Sequence, residues 1–103
     1  MTVRAQVDPE VYRSSLLAIA RKKLGGSTVQ DIRIDDDLDL DGANCLRITV
    51  ILKSHSILRS KGDKLSELSL EIKEFLDLKA DGRFPYVHYA TKAEMEETAT
   101  AHD

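Results

Sequence analysis

Residues 28–52, TVQDIRIDDDLDLDGANCLRITVIL, decide the fold. Ile32, Ile34, Leu38 and Leu40 share even parity before Asp41-Gly42, and Leu46, Ile48, Val50 and Leu52 share it afterwards. Alternation with a period of two places each set on one face of a strand, so the stretch predicts a β-hairpin. Asp-Gly suits a two-residue type I′ turn, because both central residues need positive φ, which Asp tolerates and Gly favours. The second strand also carries Ile51 on its other face and is expected to be the more buried of the two.

On the N-terminal side, Asp8-Pro9 predicts a helix start: the Asp side chain can accept from orphan N–H groups, and Pro at the first position loses no needed donor. Tyr12, Leu16, Leu17, Ile19, Ala20 and Leu24 form a broad apolar arc, and Gly25-Gly26 ends it. Arg21-Lys22-Lys23 fills the last turn, where cations meet the negative helix end, so this basic run has a structural explanation. On the C-terminal side, residues 53–62 read as a connection, with Ile57 and Leu58 against the core. A second helix begins near Asp63, carries Leu65, Leu68, Ile72, Phe75 and Leu76 on one face, and leaves by a left-handed turn at Asp81-Gly82. Residues 84–91 (FPYVHYAT) have strand composition, with Pro85 at a first or edge position.

The order α-β-β-α-β predicts an α+β domain: a three-stranded mixed sheet with two helices on one face. A right-handed crossover makes the last strand parallel to the second, lying either beside it (order 1-2-3) or beyond the first (order 2-1-3); the expected burial of the second strand favours 1-2-3, and the sequence does not decide between them. Residues 1–92 form the domain and 93–103 an acidic tail, helical or frayed. The uncovered sheet face then presents Cys45, Arg47, Thr49 and Ile51.

A chain of 103 residues, 42% hydrophobic and 32% charged, is sized and composed for one water-exposed globular domain. No apolar run is long enough to span a bilayer and MTVRAQVDPE lacks a signal-peptide core, so a cytoplasmic location is expected. The single Cys45 cannot make an internal disulfide or a cysteine-based zinc site. The net charge of −3 is unevenly spread: residues 35–44 hold five Asp and no base, and 93–103 hold three Glu, one Asp and no base. Taking out those nine acids leaves 15 basic against nine acidic residues, a body of +6.

Asp37, Asp39 and Asp41 with Gly42 match the opening D-x-D-x-D-G of a calcium loop. The closing acid is missing, since Ile48 stands at the twelfth position and Cys45 at the ninth, and the flanks read as strands. Leu38 and Leu40 read as core residues, which turns the intervening carboxylates outward, so no cofactor and no specific calcium site is expected, and Asp37, Asp39 and Asp41 offer at most a weak divalent site. His88 shares parity with Phe84, Tyr86 and Ala90 on a strand, His55 lies in a Ser-rich connection and His102 in the tail; with Cys45 they form no catalytic set by spacing. Gly25-Gly26-Ser27-Thr28 follows a helix instead of preceding one and is a helix stop, not a phosphate loop.

Two resemblances bear on function. VYRSSLLAIARKKL, then TVQDIRIDDDLDLDGANCLRITVIL, then RFPYVHYATKAEMEE resemble in element order the KH-like fold of the ribosome-binding factor A family, which implies RNA binding. The chain lacks a GXXG clamp, and its hairpin is acidic where phosphates favour Lys and Arg. The acidic hairpin and the Arg83-Phe84-Pro85 lead-in to the last strand also resemble small bacterial companion proteins of toxin–antitoxin type, which implies a protein-binding role.

The expected function is a non-enzymatic interaction module. It would form a homodimer or bind a cognate protein through Asp36, Asp37, Asp39 and Asp41 of the hairpin and Cys45, Arg47, Thr49 and Ile51 of the sheet. A KH-like RNA-binding module and a small enzyme are the alternatives.

Overall fold

The structure is a computed structural model that describes residues 7–100. Residues 1–6 of the expected domain and 101–103 of the expected tail, including His102, lie outside the described residues. Asp8 Oδ1 accepts from the Glu10 N–H at 3.0 Å, and Pro9 opens a 3₁₀ turn, Pro9–Tyr12, that runs into α1 (Arg13–Leu24). Gly25 ends α1 at φ 104°, a backbone conformation that disfavours any side chain. Strands β1 (Val29–Leu38) and β2 (Asn44–Leu52) follow, then a single turn α2 (Ile57–Ser60), α3 (Gly62–Leu78), β3 (Phe84–Thr91) and α4 (Lys92–Thr100). Much of the segment expected as an acidic tail is therefore helix. α4 opens with a capping box, Thr91 Oγ1 accepting from the Glu94 N–H while Glu94 Oε1 accepts from the Thr91 N–H at 2.8 Å.

The sheet order is β1-β2-β3, antiparallel then parallel, which settles the two orders left open by the sequence in favour of 1-2-3. Register pairs Asp35 with Arg47 and Arg47 with Tyr86, and a bulge between Val29 and Asp31 shifts the start of β1. Helices α1 and α3 pack against one face. Leu16, Ala20 and Leu24 of α1 and Leu68, Ile72 and Leu76 of α3 close over Ile32, Ile34, Leu46, Ile48, Val50 and Leu52. Each fully buried Leu or Ile removes apolar surface worth roughly 1.5–3 kcal/mol, and this layer is the source of the fold's stability. Ile57 and Leu58 sit half-buried at its margin, as the sequence predicts.

Three expectations change. The two-residue turn is replaced by a wider one in which the Asp39 N–H donates to the Ala43 carbonyl and the Gly42 N–H to the Asp39 carbonyl. Gly42 alone takes positive φ, 81°, the pattern of a type I turn followed by a left-handed glycine. Asp39 selects it: its Oδ1 accepts from the N–H groups of Asp41 and Ala43, both at 2.9 Å. Secondly, Leu38 and Leu40 are not core residues: they sit at the hairpin tip, outside the buried layer, and Leu40 is fully exposed. Thirdly, the left-handed exit of α3 falls at Ala80 (φ 56°) instead of Gly82. There the Ala80 N–H donates to the Asp77 carbonyl and the Asp81 N–H to the Leu76 carbonyl, a Schellman arrangement. Among the described residues no helix is long and apolar enough to cross a membrane.

Candidate functional site

Parity and register together assign the face opposite the helices. Asp31, Arg33, Asp35 and Asp37 of β1, Cys45, Arg47, Thr49 and Ile51 of β2, and Phe84, Tyr86, His88 and Ala90 of β3 share it in four rows. Phe84 is 50% exposed and Tyr86 41%, their rings tilted together with centroids 4.9 Å apart. Charged groups stand among them: Arg47 Nη2 forms an ion pair with Asp37 Oδ2 at 2.7 Å, and Arg33 Nε with Asp35 Oδ2 at 3.2 Å.

Four of the residues expected at the site therefore lie on this face within β2, but unevenly presented. Arg47 is exposed and Ile51 half-buried, whereas Cys45 and Thr49 are buried. Both occupy the central strand, Cys45 between Asp37 and Phe84 and Thr49 between Arg33 and His88, whose longer side chains shield them. They support the face from below. Burial, with the Asp37 and Asp39 carboxylates nearby, pushes the Cys45 thiol up from its ordinary pKa. A thiol so held is poorer in thiolate, the opposite of what a nucleophile needs.

The hairpin tip closes one end of the face into a groove of about 410 Å³. Leu38, Asp39, Leu40 and Asp41 form one wall, and Cys45, Arg47, Tyr86 and His88 the other. The carboxylates do not converge as a calcium loop would: Asp39 is committed to the turn, Asp37 to Arg47, and no group of three potential metal ligands occurs among the described residues. His88 and Cys45 share the groove, but His55 lies elsewhere, its Nε2 2.8 Å from Glu94 Oε2.

Asp36 parts from the group. Its parity places it on the helix side, where its carboxylate lies 3.6 Å from Nη1 of Arg83. Arg83 is only 3% exposed. Its Nε and Nη2 grip the Asp81 carboxylate at 2.9 and 2.8 Å, and Nη2 also donates to the Val7 carbonyl at 2.7 Å. Tyr12 Oη donates to the same carboxylate at 2.7 Å. These bonds, the guanidinium first, hold the Asp81 carboxyl far below the usual carboxylate range, and the clip ties the chain before α1 to the start of β3. Sequence reasoning missed it, as Asp81 resembles an ordinary turn residue and Arg an ordinary surface one. It also missed Arg33, Asp35, Phe84, Tyr86 and His88 as parts of the site; strand parity marks them once the register of three strands is known.

The outer edge of β1 is partly covered as well: Arg13 Nε donates to the Ile32 carbonyl and Arg21 Nη2 to the Gln30 carbonyl, both at 3.1 Å. Such side-chain capping limits pairing with another strand there. Comparison with protein-family models, with curated proteins and with solved structures finds no match to this chain.

Proposed function

We propose that the chain is a non-enzymatic protein-interaction module that docks its partner on the open sheet face and the adjoining wall of the hairpin tip. The carrying observation is the make-up of that face: half-exposed Phe84 and Tyr86, with Arg47 next to Tyr86 and Arg33 on the outer strand, on a floor of buried Cys45 and Thr49. Aromatics and arginines are the residues enriched where proteins bury one another, and a stiff sheet holds them without the entropy cost of ordering a loop. The acids of the same surface, Asp35, Asp37, Asp39 and Asp41, favour a protein bearing cations over the phosphates of a nucleic acid.

The test is a photocrosslinking amino acid placed at Tyr86, and as a control at Leu70, which is exposed on α3. Illumination in the native host is expected to give a discrete adduct from position 86 and none from position 70. Its mass tells whether the bound protein is another copy or a different chain. No adduct at 86, or equal labelling at both positions, overturns the reading.

A further inference from the structure

We infer that the groove between the hairpin tip and β3 receives a lysine or arginine side chain of the docked partner, its aliphatic stem against Leu38, Leu40 and Tyr86 and its cationic head at Asp39 and Asp41. The inference rests on reading the open face as a docking surface, and it names what the partner must present there.

Most charges that reach the groove are already matched. Arg47 is drawn to Asp37 by an ion pair of 2.7 Å, and Asp36 turns away toward Arg83. Lys73 of α3, 6.0 Å from the centroid of the Phe84 ring, is paired with Asp77. Asp39 and Asp41 differ: among the described residues neither carboxylate has a cationic partner, and residues 35–44 contain no base. An acidic side chain entering the groove would meet both carboxylates in repulsion, and a wholly apolar one would strip water from them without replacing its hydrogen bonds. A cation does neither.

The acceptor is also fixed before contact. Asp39 Oδ1 accepts from the N–H groups of Asp41 and Ala43, each at 2.9 Å, so the bonds that set the turn also hold the carboxylate in place. Its Oδ2 makes no hydrogen bond among the described residues. A group ordered in advance loses little entropy on binding.

The rest of the lining suits an aliphatic stem. Leu40 is wholly exposed, and Leu38 and Tyr86 are 59% and 41% exposed, so all three offer apolar surface to an occupant. Cys45 lies on the floor, 3% exposed, with no hydrogen bond to its thiol among the described residues. Burial first, then the nearby carboxylates, keep that thiol protonated, so it adds no charge of its own. His88 stands one row further from the tip than Tyr86. Lysine and arginine are the side chains that join a chain of methylene groups to a cation, and a groove of about 410 Å³ has room for one of them with its flanking backbone.

The probes are three capped tetrapeptides, acetyl-Gly-X-Leu-Gly-amide with arginine, lysine or glutamate at X, titrated into the full-length isotope-labelled chain and followed by its amide chemical shifts. The arginine and lysine peptides are expected to move the Leu40, Asp41 and Tyr86 amides with a dissociation constant on the order of 1 mM, and the glutamate peptide to leave them in place. Asp41→Asn removes a carboxylate that bonds to nothing else described in the fold and is expected to weaken the cationic peptides about threefold, while Asp63→Asn, at the exposed start of α3, leaves them unchanged. No shift at these amides with either cationic peptide at about 10 mM, equal shifts from the glutamate peptide, or an Asp41→Asn chain that binds as wild type overturns the inference. A position-86 adduct that still forms in the host while the cationic peptides leave the groove unmoved removes the basic side chain and leaves the docking reading standing; absence of any adduct removes both.

Discussion

Asp81 carries more of the structure than its place in a turn suggests. Its N–H closes the end of α3, and its carboxylate receives Tyr12 and both arms of Arg83 at a nearly water-free point. Removing one partner of a buried pair leaves the other charge uncompensated, so Asp81→Asn is expected to lower stability by about 3 kcal/mol at neutral pH, measured by urea unfolding. The pH dependence follows from the direction of the shift. Because the folded state holds the carboxyl below its unfolded value near 4, the contribution is complete above about pH 5 and drains away as pH falls through and below 4. The gap between wild type and Asp81→Asn should therefore narrow between about pH 5 and pH 3; a constant gap removes the linkage. One residue earlier, Ala80 occupies a left-handed position that costs an L side chain roughly 1–2 kcal/mol. Ala80→Gly relieves that cost, offset in part by the greater entropy of glycine in the unfolded chain, and is expected to raise stability by about 0.5–1 kcal/mol in the same assay.

Among the elements, the hairpin divides most clearly into what could and could not be read. Ile32, Ile34, Leu46, Ile48, Val50 and Leu52 obey their parity because the helices cover them. Leu38 and Leu40 keep the same parity in the sequence, but β1 ends at Leu38 and the tip brings both leucines to the groove that Tyr86 and His88 line on the open face. The loop type was illegible for a related reason: D-L-D-G accommodates both a two-residue I′ turn and a type I turn with a left-handed glycine. The choice rests on the Asp39 side chain, two residues before the Asp-Gly signal. Leu40→Ser separates the two readings. A core leucine would cost about 2–5 kcal/mol on truncation, whereas the exposed Leu40 should change stability by less than about 0.5 kcal/mol, read from the urea midpoint. α1 and α3 were legible from apolar spacing and from Asp8-Pro9. The Arg83 clip was not, since nothing in a sequence announces that an arginine will be buried. The open face lay between these cases: Arg47 and Ile51 could be placed by parity, whereas a run of three aspartates hides that it is Asp36 that turns toward Arg83.

At the scale of the whole molecule, the uneven charge seen in the sequence becomes a polarity along the strands. The aspartates of the hairpin gather at one end, while the other mixes the cations at the end of α1, Lys53 and the residues around α2 with Glu94 and Glu96 of α4. A molecule only 22 Å across its thinnest dimension and 49 Å along its longest presents the two ends as separate fields at ordinary ionic strength, where screening acts over about 10 Å. A partner docked on the face and the adjoining wall of the hairpin tip, as proposed, meets the acidic end, and its attachment takes a particular dependence on salt. Contact held by apolar area alone keeps or gains strength as salt rises, since excluded salts favour burial. Contact oriented by opposed charges weakens, because screening shortens the reach of each attraction. Raising ionic strength from about 0.02 M to about 0.5 M is therefore expected to lower the yield of the position-86 adduct at least several-fold, read by crosslinking in host lysate at each salt concentration. A yield indifferent to salt points to Phe84 and Tyr86 as the support of docking and removes the acidic wall as the element that recognises the partner.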